Sequence, residues 1–217
     1  MPAEDDNQNE GPGGRRFSFN AEQARAGAQA ALHKSEFILS RAFGLFQNPT
    51  KEWEQIRDEQ TSIPNILLGY VAPLAAIPPV CDLIGQSLFN GLLGANAGGA
   101  LVNAVVTWIV SVALVFLLGI IINALAPNFD ADKSEISAQK FAAYSLTPAF
   151  LSGFFSLWPP LWWLSLFALA AMVFLMYRGL PVLLKAPEDR ALGYAASATV
   201  AVMVAAIVLF AIAAALT

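Results

Sequence analysis

Five apolar stretches, each close to the ~20 residues a helix needs to cross a bilayer, limit this chain's folds more than anything else in it. They lie at about Ile66–Leu88, Leu101–Ala126, Phe141–Leu157, Leu161–Leu180 and Gly193–Leu216. Inside lipid a backbone must satisfy its own N–H and C=O groups, so each stretch is expected to be helical. Of the 217 residues 57% are hydrophobic and only 13% are charged, about half the charge of a soluble protein. The fold expected is therefore an all-α membrane protein of five transmembrane helices, preceded by a cytoplasmic amphipathic helix and a disordered tail.

Three regions follow. Residues 1–19 are polar and glycine-rich and bury too little apolar surface to offset ordering, so a disordered tail is expected. Residues 1–30 also lack the apolar core of a signal peptide. Residues 20–63 read as a helical segment at the membrane surface, and residues 64–217 as the membrane domain. Asn20 with Gln23 is a capping-box pattern. The helix after it gathers Ala28, Leu32, Leu39, Phe43 and Phe46 within about 60° of a wheel of ~100° per residue. Lys34 and Arg41 fall opposite, with Phe37 and Leu45 interrupting that polar face, so the helix lies on lipid or packs on the spans. Asn48-Pro49 ends it and starts a short charged helix carrying Trp53 and Ile56.

Orientation follows from the placement of Lys and Arg. Arg15, Arg16, Arg25, Lys34, Arg41, Lys51 and Arg57 precede the first span; Lys133 and Lys140 lie in the second connection. Arg178, Lys185 and Arg190 surround the fourth, which completes the twelve basic residues of the chain. The other connections have none. This alternation predicts a multi-pass protein of the inner (cytoplasmic) membrane with its N-terminus in the cytoplasm and its C-terminus outside. Tyr70, Tyr144, Tyr177 and Tyr194 fall at the predicted cytoplasmic ends of spans, and Trp158, Trp162 and Trp163 at the opposite interface, as an aromatic belt would. The third and fourth stretches are joined only by Trp158-Pro159-Pro160, so a shallow re-entrant hairpin competes there with two full spans.

The irregular stretch is Gly69–Gln86. Pro73, Pro78 and Pro79 each remove a backbone donor and are expected to bend the helix. Asp82 is the one carboxylate inside the apolar stretches. It stands roughly 24 Å along the helix from Ile66, near the far edge of a ~30 Å hydrocarbon core. A hydrated interfacial carboxylate beside Gln86 and Asn90 is the first expectation, and a buried ion or proton site the second. Pro148 is the other proline inside a span.

Small residues recur every fourth position as Ser145, Ala149 and Gly153 and as Gly193, Ser197, Ala201 and Ala205, a pattern that lets helices approach closely. Asp130–Ser134 begins like a calcium loop but has Glu135 and Phe141 where glycine and glutamate are needed, so a solvated loop is expected. Pro187-Glu188-Asp189 is a helix start. One cysteine and one histidine, Cys81 and His33, leave no internal disulfide and no histidine or cysteine metal cluster. G-x-S-x-G, H-E-x-x-H and phosphate-loop patterns are absent. The expectation is no catalytic residue, no cofactor, no metal and no nucleic-acid partner.

Several stretches resemble the Yip-one domain family, the Ypt/Rab-interacting-protein type, in its bacterial form. They are Asn48-Pro49 with Trp53 and Ile56, Gly69-Tyr70-Val71-Ala72-Pro73-Leu74, and Ala138 to Tyr144-Ser145 with Thr147-Pro148. Tyr177-Arg178-Gly179-Leu180-Pro181 and Lys185 to Arg190 complete the set, which covers roughly residues 48–215. The resemblance implies a non-enzymatic five-span membrane protein. The family's Asp-Leu-x-Gly-Pro motif precedes its spans, whereas here Asp82-Leu83-Ile84-Gly85 ends in Gln86 at the far end of a span, so Rab binding does not carry over.

The function expected is a membrane-organising or protein-interaction scaffold, with membrane lipids and either a homo-oligomer or other membrane proteins as partners. The alternative is a small transporter or ion-conducting protein using Asp82 and the proline-broken first span.

Overall fold

The computed structural model describes residues 21–90 and 97–216, and all the regular structure among them is helical. The expected tail, the Asn20 cap and the side chains of Ala28, Lys34 and Asn90 lie outside the described set. The chain divides into two units, Met1–Glu36 and Phe37–Thr217. In the first, helix α1 (Ala21–Gln47) exposes Leu32 and His33, and Ser35 Oγ donates to Leu32 O at 2.8 Å.

In the second unit α1 buries Ile38, Ala42 and Leu45 and leaves Leu39, Phe43 and Phe46 exposed. The packed face is thus the one that Leu45 marks, and the apolar stripe read from the sequence points outward. Helix α2 (Pro49–Asp58) has Asn48 at its cap position without a side-chain cap bond, and fully buries Trp53 and Ile56.

Among the described residues four helical segments are long and apolar enough to cross a membrane: Ile63–Phe89, Gly98–Phe129, Pro160–Leu183 and Glu188–Ala215. They coincide with the first, second, fourth and fifth apolar stretches. The third is helical but fragmented. Helix α7 (Glu135–Ser145) ends at Leu146, α8 (Thr147–Leu151) follows, and a 3-10 turn covers Ser152–Leu157. This fragmented segment is the centre of the bundle, since every residue from Phe141 to Pro148 is buried.

The first segment is itself in pieces, numbered here in chain order with α3 as Ile63–Ile66, α4 as Ala72–Ala75 and α5 as Ile77–Asn90. Between α3 and α4 a wide π turn runs over Leu67–Val71, in which the Ala72 N–H reaches back to Leu67 O. The extra residue in that turn relieves the clash a proline ring at Pro73 makes with the carbonyl four residues earlier. At Ala76 the helix stops, its N–H turning to Leu74 O, and it restarts ahead of Pro78 and Pro79. The remaining helices are α6 (Ala97–Leu125), α9 (Ser165–Leu183) and α10 (Glu188–Leu216). Helix α6 packs on α7 and α10, α9 packs on α2, α7 and α10, and α5 lies along the 152–157 turn.

Lipid tails are as apolar as leucine, so these contacts rest on close packing and hydrogen bonds rather than on removal from water. Gly153 shows the closeness: a Cβ there would stand 2.6 Å from Pro78 Cα. The outer faces are apolar, with Leu101, Ile109 and Ile120 on α6 and Val200, Val204 and Ile207 on α10 exposed. Trp158, Trp162 and Trp163 are exposed, as a belt requires. The tyrosines are a correction to that belt. Tyr177 is exposed, but Tyr70, Tyr144 and Tyr194 are buried, because their rings fill the bundle and the Tyr70 and Tyr194 hydroxyls serve it from within.

Candidate functional site

The candidate site is a buried polar layer at the junction of α1, α2, the first span and α7, and it begins with unsatisfied carbonyls. A helix ends with up to four C=O groups lacking partners. At the end of α2 those groups meet Lys140, 4% exposed on α7, whose Nζ donates to Ile56 O at 2.6 Å, Arg57 O at 3.1 Å and Glu59 O at 2.6 Å. All three ammonium protons are used, and a cation at a helix C-terminus is also favoured by the dipole.

Beside it Arg41 of α1 bridges Glu52 at 2.8 Å and Glu59 at 2.9 Å, with only 10% of its side chain exposed. Its guanidinium also stands 5.9 Å from the centre of the Tyr144 ring. Two cations and two carboxylates are therefore balanced within one layer. The rings of Tyr70 and Tyr144 meet at 4.4 Å, and Trp53 stacks on Phe141 at 5.9 Å. Trp53 also covers Gly179, where a Cβ would come within 2.7 Å of the indole.

A relay of donors repairs the break at Pro148. Proline has no N–H, so Tyr144 O, four residues earlier, loses its helical partner. Thr147 Oγ1 donates to Tyr144 O at 2.8 Å, and that spends the threonine proton. The 2.9 Å contact between Tyr70 and Thr147 is then the tyrosine hydroxyl donating to Oγ1. Similar repairs recur elsewhere. Trp108 Nε1 donates to Ala72 O at 2.7 Å, where the helix stops ahead of Pro78. Tyr194 OH donates to Ile122 O at 2.5 Å, near the end of α6, and its ring stacks on Phe129.

Of the residues singled out from the sequence, the structure brings Tyr144, Pro148 and Gly179 to this layer, and joins Pro78 to Gly153 just beyond it. Pro73 is exposed, Pro79 buried, and Pro181 half-buried within α9. Asp82 is exposed, as is Gln86, so the carboxylate faces outward and not into the bundle. Gly193 is exposed and Ser197 half-buried; α10 packs inward through Ala191, Ala195, Ala198 and Val202 instead. The loop read as solvated is exposed at Asp130 and Asp132, which pair with Arg190 at 2.6 Å and Lys185 at 2.8 Å.

Arg41, Glu52, Glu59, Lys140 and Thr147 were not singled out as site residues. In the sequence Arg41 marks the polar face of α1 and, with Lys140, the orientation, and a rule that counts charges cannot distinguish a solvated lysine from one capping a helix. Thr147 had a legible signal, a hydroxyl immediately before a proline.

Comparison with known proteins adds lineage. Residues 43–210 match the Yip1 domain. The inner membrane protein YohC of Escherichia coli, from strains K12 and O6:H1, is 30% identical over 172 residues. That alignment covers 73% of this chain and 86% of each relative. No solved structure matches the chain. The matched residues take in α2, the Lys140, Tyr144 and Thr147 part of the buried layer and most of the four apolar helices, and this transmembrane chain belongs to the Yip1 domain family.

Proposed function

We propose that the protein is a non-enzymatic scaffold of a bacterial inner membrane that gathers partner proteins or further copies of itself through its outer surface. One observation carries this reading: five buried or partly buried polar side chains are taken up in hydrogen bonds that brace the helices, beside the balanced ion pairs of Arg41. Lys140, Thr147, Trp108 and Tyr194 donate to backbone carbonyls, and Tyr70 donates to the Thr147 hydroxyl. Catalysis needs an acid, base or nucleophile free to meet a substrate, and these groups are held by the fold. The outward position of Asp82 removes the main support for a conduction pathway.

The reading includes a topology. The fragmented segment 135–157 acts as a fifth crossing, built in pieces whose breaks are closed by neighbouring side chains, which is the condition under which broken helices persist at membrane depth. With Lys and Arg alternating between connections, the N-terminus and α1 are cytoplasmic and the C-terminus is outside. The relatives named as inner membrane proteins support the location. Crosslinking in intact membranes followed by purification tests the scaffold role. A specific protein partner or a homo-oligomer is expected; recovery of the monomer alone contradicts the proposal.

A further inference from the structure

A cavity of about 280 Å³ opens between α3, α6 and α7, lined by Ile63, Phe116, Gly119, Ile120, Asn123, Glu135 and Gln139. Its polar lining is Asn123, Glu135 and Gln139. Gln139 is 2% exposed; its Nε2 donates to Val115 O at 3.2 Å, and its Oε1 receives no hydrogen bond from the described residues. Gly119 has no Cβ where the Gln139 amide lies, which lets that oxygen stay beside the cavity. Asn123 Oδ1 is buried and has no partner. Glu135 is exposed and forms no ion pair among the described residues. The lining contains no lysine, arginine or histidine.

A buried acceptor without a donor is costly, and three acceptors around one space match the three N–H donors of a primary ammonium. Position narrows the ligand further. Asn123 stands two residues before the end of α6, Ile63 opens the first span, and Glu135 opens α7, so the cavity lies at headgroup depth. Phe116 and Ile120, which line the cavity, are also exposed on the apolar outer face of α6. The volume is just under the roughly 300–1,000 Å³ of a site that encloses a whole small molecule, so it suits a headgroup whose chains remain in the bilayer.

We infer that this cavity is a lipid site selective for the primary ammonium of an ethanolamine phospholipid, held by Glu135, Gln139 Oε1 and Asn123 Oδ1, with its acyl chains along Phe116 and Ile120. A choline headgroup has the same charge but no N–H to donate, and a glycerol headgroup has no cation. The site stands apart from the protein partnership proposed above, and either can fail without the other.

The test is native mass spectrometry of the full chain released from nanodiscs holding equal parts of phosphatidylethanolamine, phosphatidylcholine and phosphatidylglycerol. The wild type is expected to retain the ethanolamine lipid about tenfold over the choline lipid, the change that one charge-assisted hydrogen bond supports. Glu135→Gln and Asn123→Ala are expected to reduce that ratio severalfold while melting in detergent within a few degrees of the wild type. Equal retention of the ethanolamine and choline lipids overturns the assignment. So does an ethanolamine preference that persists unchanged in both variants, because the lipid is then held elsewhere.

Discussion

Replacing Lys140 by methionine keeps an unbranched side chain one atom shorter but removes the three donors that close α2. The variant is expected to lose about 1.5–3 kcal/mol, the range for hydrogen bonds to a charged group, read as a lower unfolding temperature in detergent. An unchanged temperature means that water can serve those carbonyls and that the lysine is incidental. Thr147→Val keeps the shape and breaks both links of the relay, leaving the Tyr70 hydroxyl without a partner and Tyr144 O with only the Leu146 N–H. It is expected to cost about 1–3 kcal/mol, whereas Thr147→Ser, which keeps the hydroxyl, is expected to cost much less. Equal effects of the two contradict the relay. The residue types were visible in the sequence, but their pairing was not: Lys140 lies far along the chain from Ile56, and nothing local links them.

At the scale of elements, the breaks were legible and their repair was not. Pro73, Pro78, Pro79 and Pro148 announce that two helices cannot run straight, because each lacks an N–H. The π turn at Leu67–Val71 and the indole of Trp108 on Ala72 O are tertiary answers to that defect. Helix α1 illustrates a different limit. Its stripe of Leu39, Phe43 and Phe46 is exposed, yet periodicity cannot say whether an apolar face meets protein or lipid, and here the face with Arg41 packs inward. The fragmented segment 135–157 carries its own prediction. Five crossings place the two termini on opposite sides, so a fluorescent protein that matures only in the cytoplasm should shine at the N-terminus and stay dark at the C-terminus. Fluorescence at both ends would mean four crossings.

Over the whole molecule, class, helical content and lineage were readable from apolar run lengths and from the Trp53, Tyr70, Tyr144 and Gly179 stretches. The layer that joins those stretches was not, since its members are separated by tens of residues and meet only when α2 docks on α9 and α7. The result is an interior whose polar groups serve the fold, beneath an apolar exterior. The proposed scaffold role falls to the outer surface, where Leu39, Phe43 and Phe46 form the exposed face of α1. The direct test is a photoreactive amino acid at Phe43, activated in intact membranes, with the products resolved by mass. The scaffold account predicts a discrete adduct with one protein partner or a second copy of the chain. Lipid adducts alone, with the chain recovered as a monomer, would contradict it.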